Sequence, residues 1–250
     1  MTRKEKNGFS AEYLFAALFL IVAALVIGWQ MNRSVVVTDI SVTGHHMSEP
    51  AEIERASGVE HGMHADSIAY LQVIERVEML PWVARAYVSL SPSGNMRIRV
   101  EEQEPMALLV DGRRSTLVTE SGIQLPVVLG RAADVPILYG FDVSRGAKQD
   151  AMTPPDTIRS PQFETARAFL QQLGEYPGLY AMVSELMVTD EDGVVALSNE
   201  NAVRLTFGHN DFKDRIRKWH AFQSQVISEK GIDQMRSLDF RYRGQVVALE

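Results

Sequence analysis

The 250-residue chain contains no cysteine. That absence excludes structural disulfides, thiolate metal centres, cysteine nucleophiles and a lipidated amino-terminal cysteine, and it leaves the compartment open. The sequence also lacks a G-x-S-x-G elbow, a phosphate-binding loop, a dinucleotide fingerprint and an S-x-x-K motif. Positive charge is scarce. The net charge is −7, with +2 on residues 1–33 and −9 on the remainder, a balance ill suited to the phosphates of nucleic acid. An apolar fraction of 46% is enough to build a real core.

Few residues invite chemistry. His45, His46, His61 and His64 fall in loops flanking a short helix, with no regular ligand face, so they read as solvated histidines; a metal centre is the alternative. Glu101-Glu102 lies on a strand, which sends neighbours to opposite faces, and Asp190-Glu191-Asp192 lies in a turn. Both read as surface acids. No catalytic, cofactor-binding or metal site is expected, and the chain does not read as an enzyme.

One long hydrophobic run is present. From Tyr13 to Met31 the chain reads YLFAALFLIVAALVIGWQM, without a charge. As a helix those residues rise about 28 Å, close to the ~30 Å hydrocarbon thickness of a bilayer. Arg3, Lys4 and Lys6 precede the run and Arg33 alone follows, so residues 1–12 are expected in the cytoplasm, 13–31 across the membrane and the rest outside. Tyr13 and Trp29 stand where interfacial aromatics belong. A cleaved signal peptide is the alternative, although the run exceeds the usual ~7–15 residues.

Residues 35–104 read as a small domain. Val36, Thr38, Ile40 and Val42 alternate as in a strand that Gly44 ends. Ser48 is placed to cap a short helix carrying Ile53 and Ala56. Asp66 is placed to cap a second, whose stripe would be Ile68, Leu71, Ile74 and Val77, until Pro81 stops it. Trp82, Ala84, Ala86, Val88 and Leu90 would share one strand face, and Met96, Ile98 and Val100 that of the next, across a turn at Pro92–Asn95. The order is β-α-α-β-β.

Several motifs here resemble one family. Ile40-x-Val42-x-Gly44, Pro81-Trp82-Val83 with Ala86, Pro92, and Val100-x-Glu102-x-x-Pro105-x-Ala107 look like the FtsQ-type POTRA domain of the FtsQ/DivIB bacterial cell-division proteins. Leu117-Val118 with Gly122, then Asp134-x-Pro136-x-Leu138-x-Gly140, resemble the opening of that family's second, β-rich domain. Leu238-Asp239-Phe240-Arg241-Tyr242 resembles its terminal strand, with Phe240 where the family usually has Leu. Each motif is weak alone; their order is far more specific. Residues 142–157 look like an inserted loop.

Residues 105–250 read as an α+β unit, mostly antiparallel, with helices. Met106–Val110, Arg114–Val118 and Ile123–Leu129 are strand-like, separated by Asp111-Gly112 and Ser121-Gly122 turns. Ser160-Pro161 opens a helix carrying Phe163, Ala166, Phe169, Leu170 and Leu173, closed by Gly174. Met182, Ser184, Leu186 and Val188 alternate, Asp192-Gly193 turns the chain, and Val203, Leu205 and Phe207 alternate again. Asp211 starts a helix with Phe212, Ile216, Trp219, Phe222, Val226 and Ile227 on its apolar face. Lys213, Arg217, Lys218 and Gln225 lie opposite and read as a solvated face, the alternative being a contact for anionic lipid or an acidic partner. Trp82 and Trp219 read as core anchors.

At the carboxyl terminus, Leu238, Phe240 and Tyr242 are expected to point one way and Asp239 and Arg241 the other. Arg243-Gly244 turns, and Gln245 to Leu249 returns as a final strand. A last strand with nothing after it makes a sheet edge, whose unpaired backbone groups another chain can complete. The alternative is an ordinary, internally paired terminal strand. The resemblance implies the docking edge, with Phe240, Arg241, Tyr242, Gly244, Gln245, Val246, Val247 and Leu249 as partner-binding residues. It further implies a non-catalytic scaffold of the divisome, spanning the cytoplasmic membrane once at the septum and holding an FtsB/FtsL-like pair. An envelope-assembly or secretion factor with a chaperone-like POTRA module, or an anchored cell-wall hydrolase, stands as the alternative.

Overall fold

The computed structural model describes residues 11–33, 35–112, 114–141, 156–227 and 235–249. Most of the expected cytoplasmic segment, all but the last two residues of the expected 142–157 loop, and Glu250 lie outside the described residues. The chain divides into two compact units, Met1–Glu102 and Gln103–Glu250.

The first unit opens with α1 (Ala11–Arg33). Its side chains are described from Phe15 to Trp29, about 22 Å of helix. Within the described residues no helix is long and apolar enough to cross a membrane. Phe15, Leu18, Phe19, Ile21, Leu25 and Trp29 are each more than half exposed, so the apolar surface runs around the helix.

Beyond it come β1 (Asp39–Thr43), α2 (Pro50–Ser57), a 3-10 turn at Ala65–Ser67, α3 (Tyr70–Glu78), β2 (Val83–Leu90) and β3 (Asn95–Glu102). The sheet order is β1-β3-β2, with β1 parallel and β2 antiparallel to β3. Ile53, Val73, Val77, Met96, Ile98 and Val100 form the centre of the core, and Trp82 is buried.

Three local expectations are corrected. Ser48 does not cap α2; Glu49 holds that position, and the Ser48 amide donates to Glu102 instead. The turn at Ala65–Ser67 resets the phase before α3, so Val73 and Val77 face inward while Leu71 is 76% exposed. A bulge between Val83 and Arg85 shifts the alternation of β2, burying Val83 and leaving Ala84 out.

Three features of this unit are built by single residues. Gly44 has φ +83°, and a Cβ there would strike the Val100 carbonyl, which explains why glycine follows Ile40-x-Val42. Glu102, the last residue of β3, accepts the amides of His46, Met47 and Ser48 at 2.8, 2.8 and 2.7 Å. Partial burial pushes its carboxyl upward. The Met47 and Ser48 amides, the Ser48 hydroxyl and the His46 amide outweigh that and hold it below the ordinary value of 4.5. On β2, the outward amide of Ala86 donates to Glu78 Oε1 at 2.9 Å.

The second unit is one nine-stranded sheet with helices packed against it. Its elements are β4 (Pro105–Asp111), β5 (Arg114–Thr119), β6 (Gln124–Leu125), β7 (Ile137–Tyr139), α4 (Pro161–Gly174), α5 (Pro177–Tyr180), β8 (Val183–Thr189), β9 (Gly193–Ser198), β10 (Arg204–Gly208), α6 (Phe212–Phe222), β11 (Ser237–Asp239) and β12 (Val247–Leu249). The spatial order is β12-β11-β10-β9-β8-β7-β4-β5-β6. The β4/β7, β7/β8 and β10/β11 pairs are parallel and the other five antiparallel.

Helix α4 begins where Ser160 accepts the Phe163 amide at 3.1 Å, and it buries the five apolar residues expected of it. Its Phe169 lies 4.7 Å from the Phe207 ring of β10, and Phe207 in turn lies 5.5 Å from Trp219 of α6. The Ile123–Leu129 stretch contributes only Gln124–Leu125 to the sheet. In β8 a bulge between Val183 and Glu185 again moves the buried position, here from Met182 and Ser184 to Val183.

Candidate docking edge

The last three strands of the sheet are assembled from a short parallel pair and a short hairpin. β11 lies beside β10 through Arg204↔Ser237, Leu205↔Leu238 and Thr206↔Asp239, and the Phe240 amide extends that ladder to the Thr206 carbonyl at 2.9 Å. β12 returns antiparallel to β11 through Ser237↔Leu249, Leu238↔Ala248 and Asp239↔Val247. It is the end of the sheet. Among the described residues no strand lies on its other side.

Alternation holds along this segment only as far as the ladder does. Leu238 and Phe240 are fully buried, Phe240 stacking on Phe207 at 5.0 Å with the rings 12° apart. Phe240 therefore offers a partner no side chain, and its own amide and carbonyl are engaged by Thr206 and Lys218. The Arg241 amide turns to Asp239 Oδ1 at 2.9 Å in place of a strand, and the ladder stops there. Tyr242, expected on the buried side, is consequently 48% exposed. Val247 and Leu249 are 46% and 60% exposed, Gly244 and Gln245 are exposed, and Val246 leans partly against the core.

Charge organises the base of this ribbon. Arg241 donates Nε to both Asp239 oxygens at 3.0 Å, Nη2 to Asp239 Oδ2 at 2.6 Å, and Nη1 to Asp192 Oδ1 at 2.9 Å. Arg204 closes the chain on Asp192 Oδ2 at 2.7 Å. Partial burial raises the Asp239 carboxyl, but the hydrogen bonds from Arg241 outweigh it and leave the group below its usual range. The same Asp239 hydrogen bond pushes the Arg241 guanidinium further toward its charged form, burial opposing it, with Asp192 assisting. The guanidinium thus ties β11 to the β8–β9 turn.

Beneath the ribbon runs a groove of about 630 Å³ bounded by α6 and Gly244–Val246. Here Lys218 reaches out of α6. Its Nζ lies 3.2 Å from the Phe240 carbonyl, 2.9 Å from the Tyr242 carbonyl and 3.4 Å from Asp214 Oδ2. Arg217 pairs with Asp214 at 2.6 Å. Of the strip read as a solvated face, Lys218 is thus engaged, with 19% of its side chain exposed. Its i, i+4 spacing from Asp214 was visible in sequence; the carbonyls it meets lie more than twenty residues away and left no local trace.

The arrangement offers hydrogen-bonding backbone and exposed apolar side chains, which suits strand addition. Comparisons with known proteins agree with the order of motifs. Residues 36–103 match the family model "POTRA domain, FtsQ-type", and residues 104–249 the model "FtsQ/DivIB, C-terminal related". The chain is 30% identical to a cell division protein FtsQ of Rhodothermus marinus over 92% of its length and 83% of that protein. It is 29% identical to one of Salinibacter ruber over 99% and 97%. The solved extracytoplasmic domain of the cell-division protein DivIB from Geobacillus stearothermophilus aligns at 18% identity with a TM-score of 0.32, over 51% of this chain and 97% of that one, too loosely to bear on the fold. Two family models in tandem and relatives matched over most of their length place the chain in the FtsQ/DivIB family of bacterial cell-division proteins.

Proposed function

We propose that this protein is a non-catalytic scaffold of the divisome, anchored by α1 in the cytoplasmic membrane at the septum with its amino terminus inside. Its terminal strand would hold an FtsB-like partner, itself paired with an FtsL-like one. The uncharged run from Tyr13 to Met31, which extends past both ends of the side chains described for α1, is what supports the anchor. Its all-round apolar surface suits lipid better than water.

The observation that carries the docking reading is β12. It ends the nine-stranded sheet, pairs through only three residues, and presents Val247 and Leu249 at its surface, while Tyr242 of the linking ribbon is also exposed. A partner strand would add a tenth member: backbone pairing supplies affinity, and side chains alternating along the added strand supply register. Arg241 would hold the base of the ribbon while Gly244, Gln245 and Val246 shape its turn.

Deleting Gln245–Glu250 and measuring co-purification of the FtsB-like protein tests this. Loss of capture is expected, and unchanged retention would end the docking reading. A fluorescent fusion imaged in dividing cells tests the septal assignment separately, with mid-cell accumulation expected and an even peripheral signal counting against it.

A further inference from the structure

We propose that Lys218 is the positioning residue of the terminal edge: its ammonium fixes the course of the main chain between β11 and β12, and so sets where β12 presents its free side. The significance for docking rests on the reading above; the structural role does not.

The need for such a residue follows from how little else restrains this stretch. β12 is held to β11 by three residue pairs, and the six residues that link Phe240 to Val247 contribute none of them. Those linking residues are exposed apart from Val246, which is half-buried. Gly244 sits at φ +69°, giving the turn a conformation but no lateral anchor. At the start the Phe240 amide is held by Thr206, and Arg241 is held by its amide on Asp239 and its guanidinium on Asp239 and Asp192. Past Arg241, the Tyr242 carbonyl meets Lys218.

Lysine suits this task. The ammonium carries three protons and no acceptor, and three oxygens surround it: the Phe240 carbonyl, the Tyr242 carbonyl and Asp214 Oδ2. Hydrogen bonds from a charged donor to carbonyls are stronger than neutral ones. Helix α6 is itself fixed by Ile216 and Trp219, both fully buried, so Lys218 ties the ribbon to a rigid element. A planar guanidinium presents its donors in a fixed fork, a geometry matched to a single carboxylate and not to three oxygens around one point. Asp214 is also paired with Arg217, so its contact with Lys218 is the more dispensable of the three.

The test compares Lys218→Met, Lys218→Arg and Asp214→Asn in the full chain by amide hydrogen exchange and thermal unfolding. Lys218→Met should raise exchange at Val247–Leu249 at least about tenfold, the equivalent of one net hydrogen bond from a charged group, while core peptides from β8–β10 keep their protection. Lys218→Arg should recover part of that protection, and Asp214→Asn should leave it near the parent level. Wild-type exchange at Val247–Leu249 in Lys218→Met would overturn the proposal. So would a uniform loss of protection through the whole unit, or an equal effect of Asp214→Asn, since those describe general destabilisation or helix electrostatics. Capture of the FtsB-like protein is measured in parallel. If deletion of Gln245–Glu250 leaves capture intact, the docking reading fails, whereas the exchange result still decides the role of Lys218.

Discussion

Replacing Glu102 by glutamine should loosen the first unit and leave the second untouched. The carboxylate closes the segment between β1 and α2 by accepting three successive amides at 2.7 to 2.8 Å. A hydrogen bond to a charged group is worth about 1.5–3 kcal/mol net, so three would sum to several kcal/mol if independent. They are not independent, and His46 is exposed, so water takes over part of the loss. Glutamine also keeps one acceptor oxygen. About 2 kcal/mol remains for Glu102→Gln, which for a domain of this size lowers the melting temperature by roughly 8–16 °C. Hydrogen exchange read peptide by peptide on the full chain separates the two units. Amides from Thr43 to Ser57 should lose protection while β8–β10 peptides keep theirs.

The pH dependence gives a second readout of the same contact. The folded carboxyl is depressed, so its stabilisation is fully present above the ordinary value of 4.5 and disappears as pH falls through the lower folded value. Protection of the first unit should therefore decline in acid below about 4.5 in the parent, and the Glu102→Gln protein should lack that component. Unchanged exchange at His46–Ser48, or an acid profile identical in both proteins, would refute the reasoning.

Gly44→Ala should destabilise the first unit by about 2–4 kcal/mol, because its φ of +83° is strained for alanine and the methyl meets the Val100 carbonyl; urea unfolding followed by circular dichroism reads it. Phe240→Ala should cost about 3–5 kcal/mol and flatten the near-ultraviolet signal of Trp219, since the ring stacks on Phe207 and lies 6.4 Å from the indole. Arg241→Ala should cost only about 1 kcal/mol, its ion pairs being partly open to solvent, with the loss shrinking in high salt; titration should show the Asp239 carboxyl rising toward its ordinary value.

The parts of the fold that obey a simple period were legible in sequence. Helix α4, with Ser160 before Pro161 and five apolar residues on one face, is found as read. So is β3, where Met96, Ile98 and Val100 are buried on one side. Periodicity fails where the backbone inserts a residue or changes phase. The bulges at Val83/Arg85 and Val183/Glu185 each slide the inward position by one, and the 3-10 turn before α3 rotates its stripe away from Leu71. β9, with the sequence GVVALS, is buried on both faces, so it shows no alternation by which its sequence would mark a strand. At the candidate edge, the final hairpin was visible from Arg243-Gly244, whereas the hold of Lys218 on two distant carbonyls has no sequence signature.

The Glu78 carboxylate on the Ala86 amide gives the small sheet a guarded flank. β2 is eight residues long and lies outermost, a length at which bare strands recruit their own kind. Any chain zippering onto it must first evict a negative charge and strand it against its own carbonyls. Crowding many copies together would thus not, by this route, knit them into fibres.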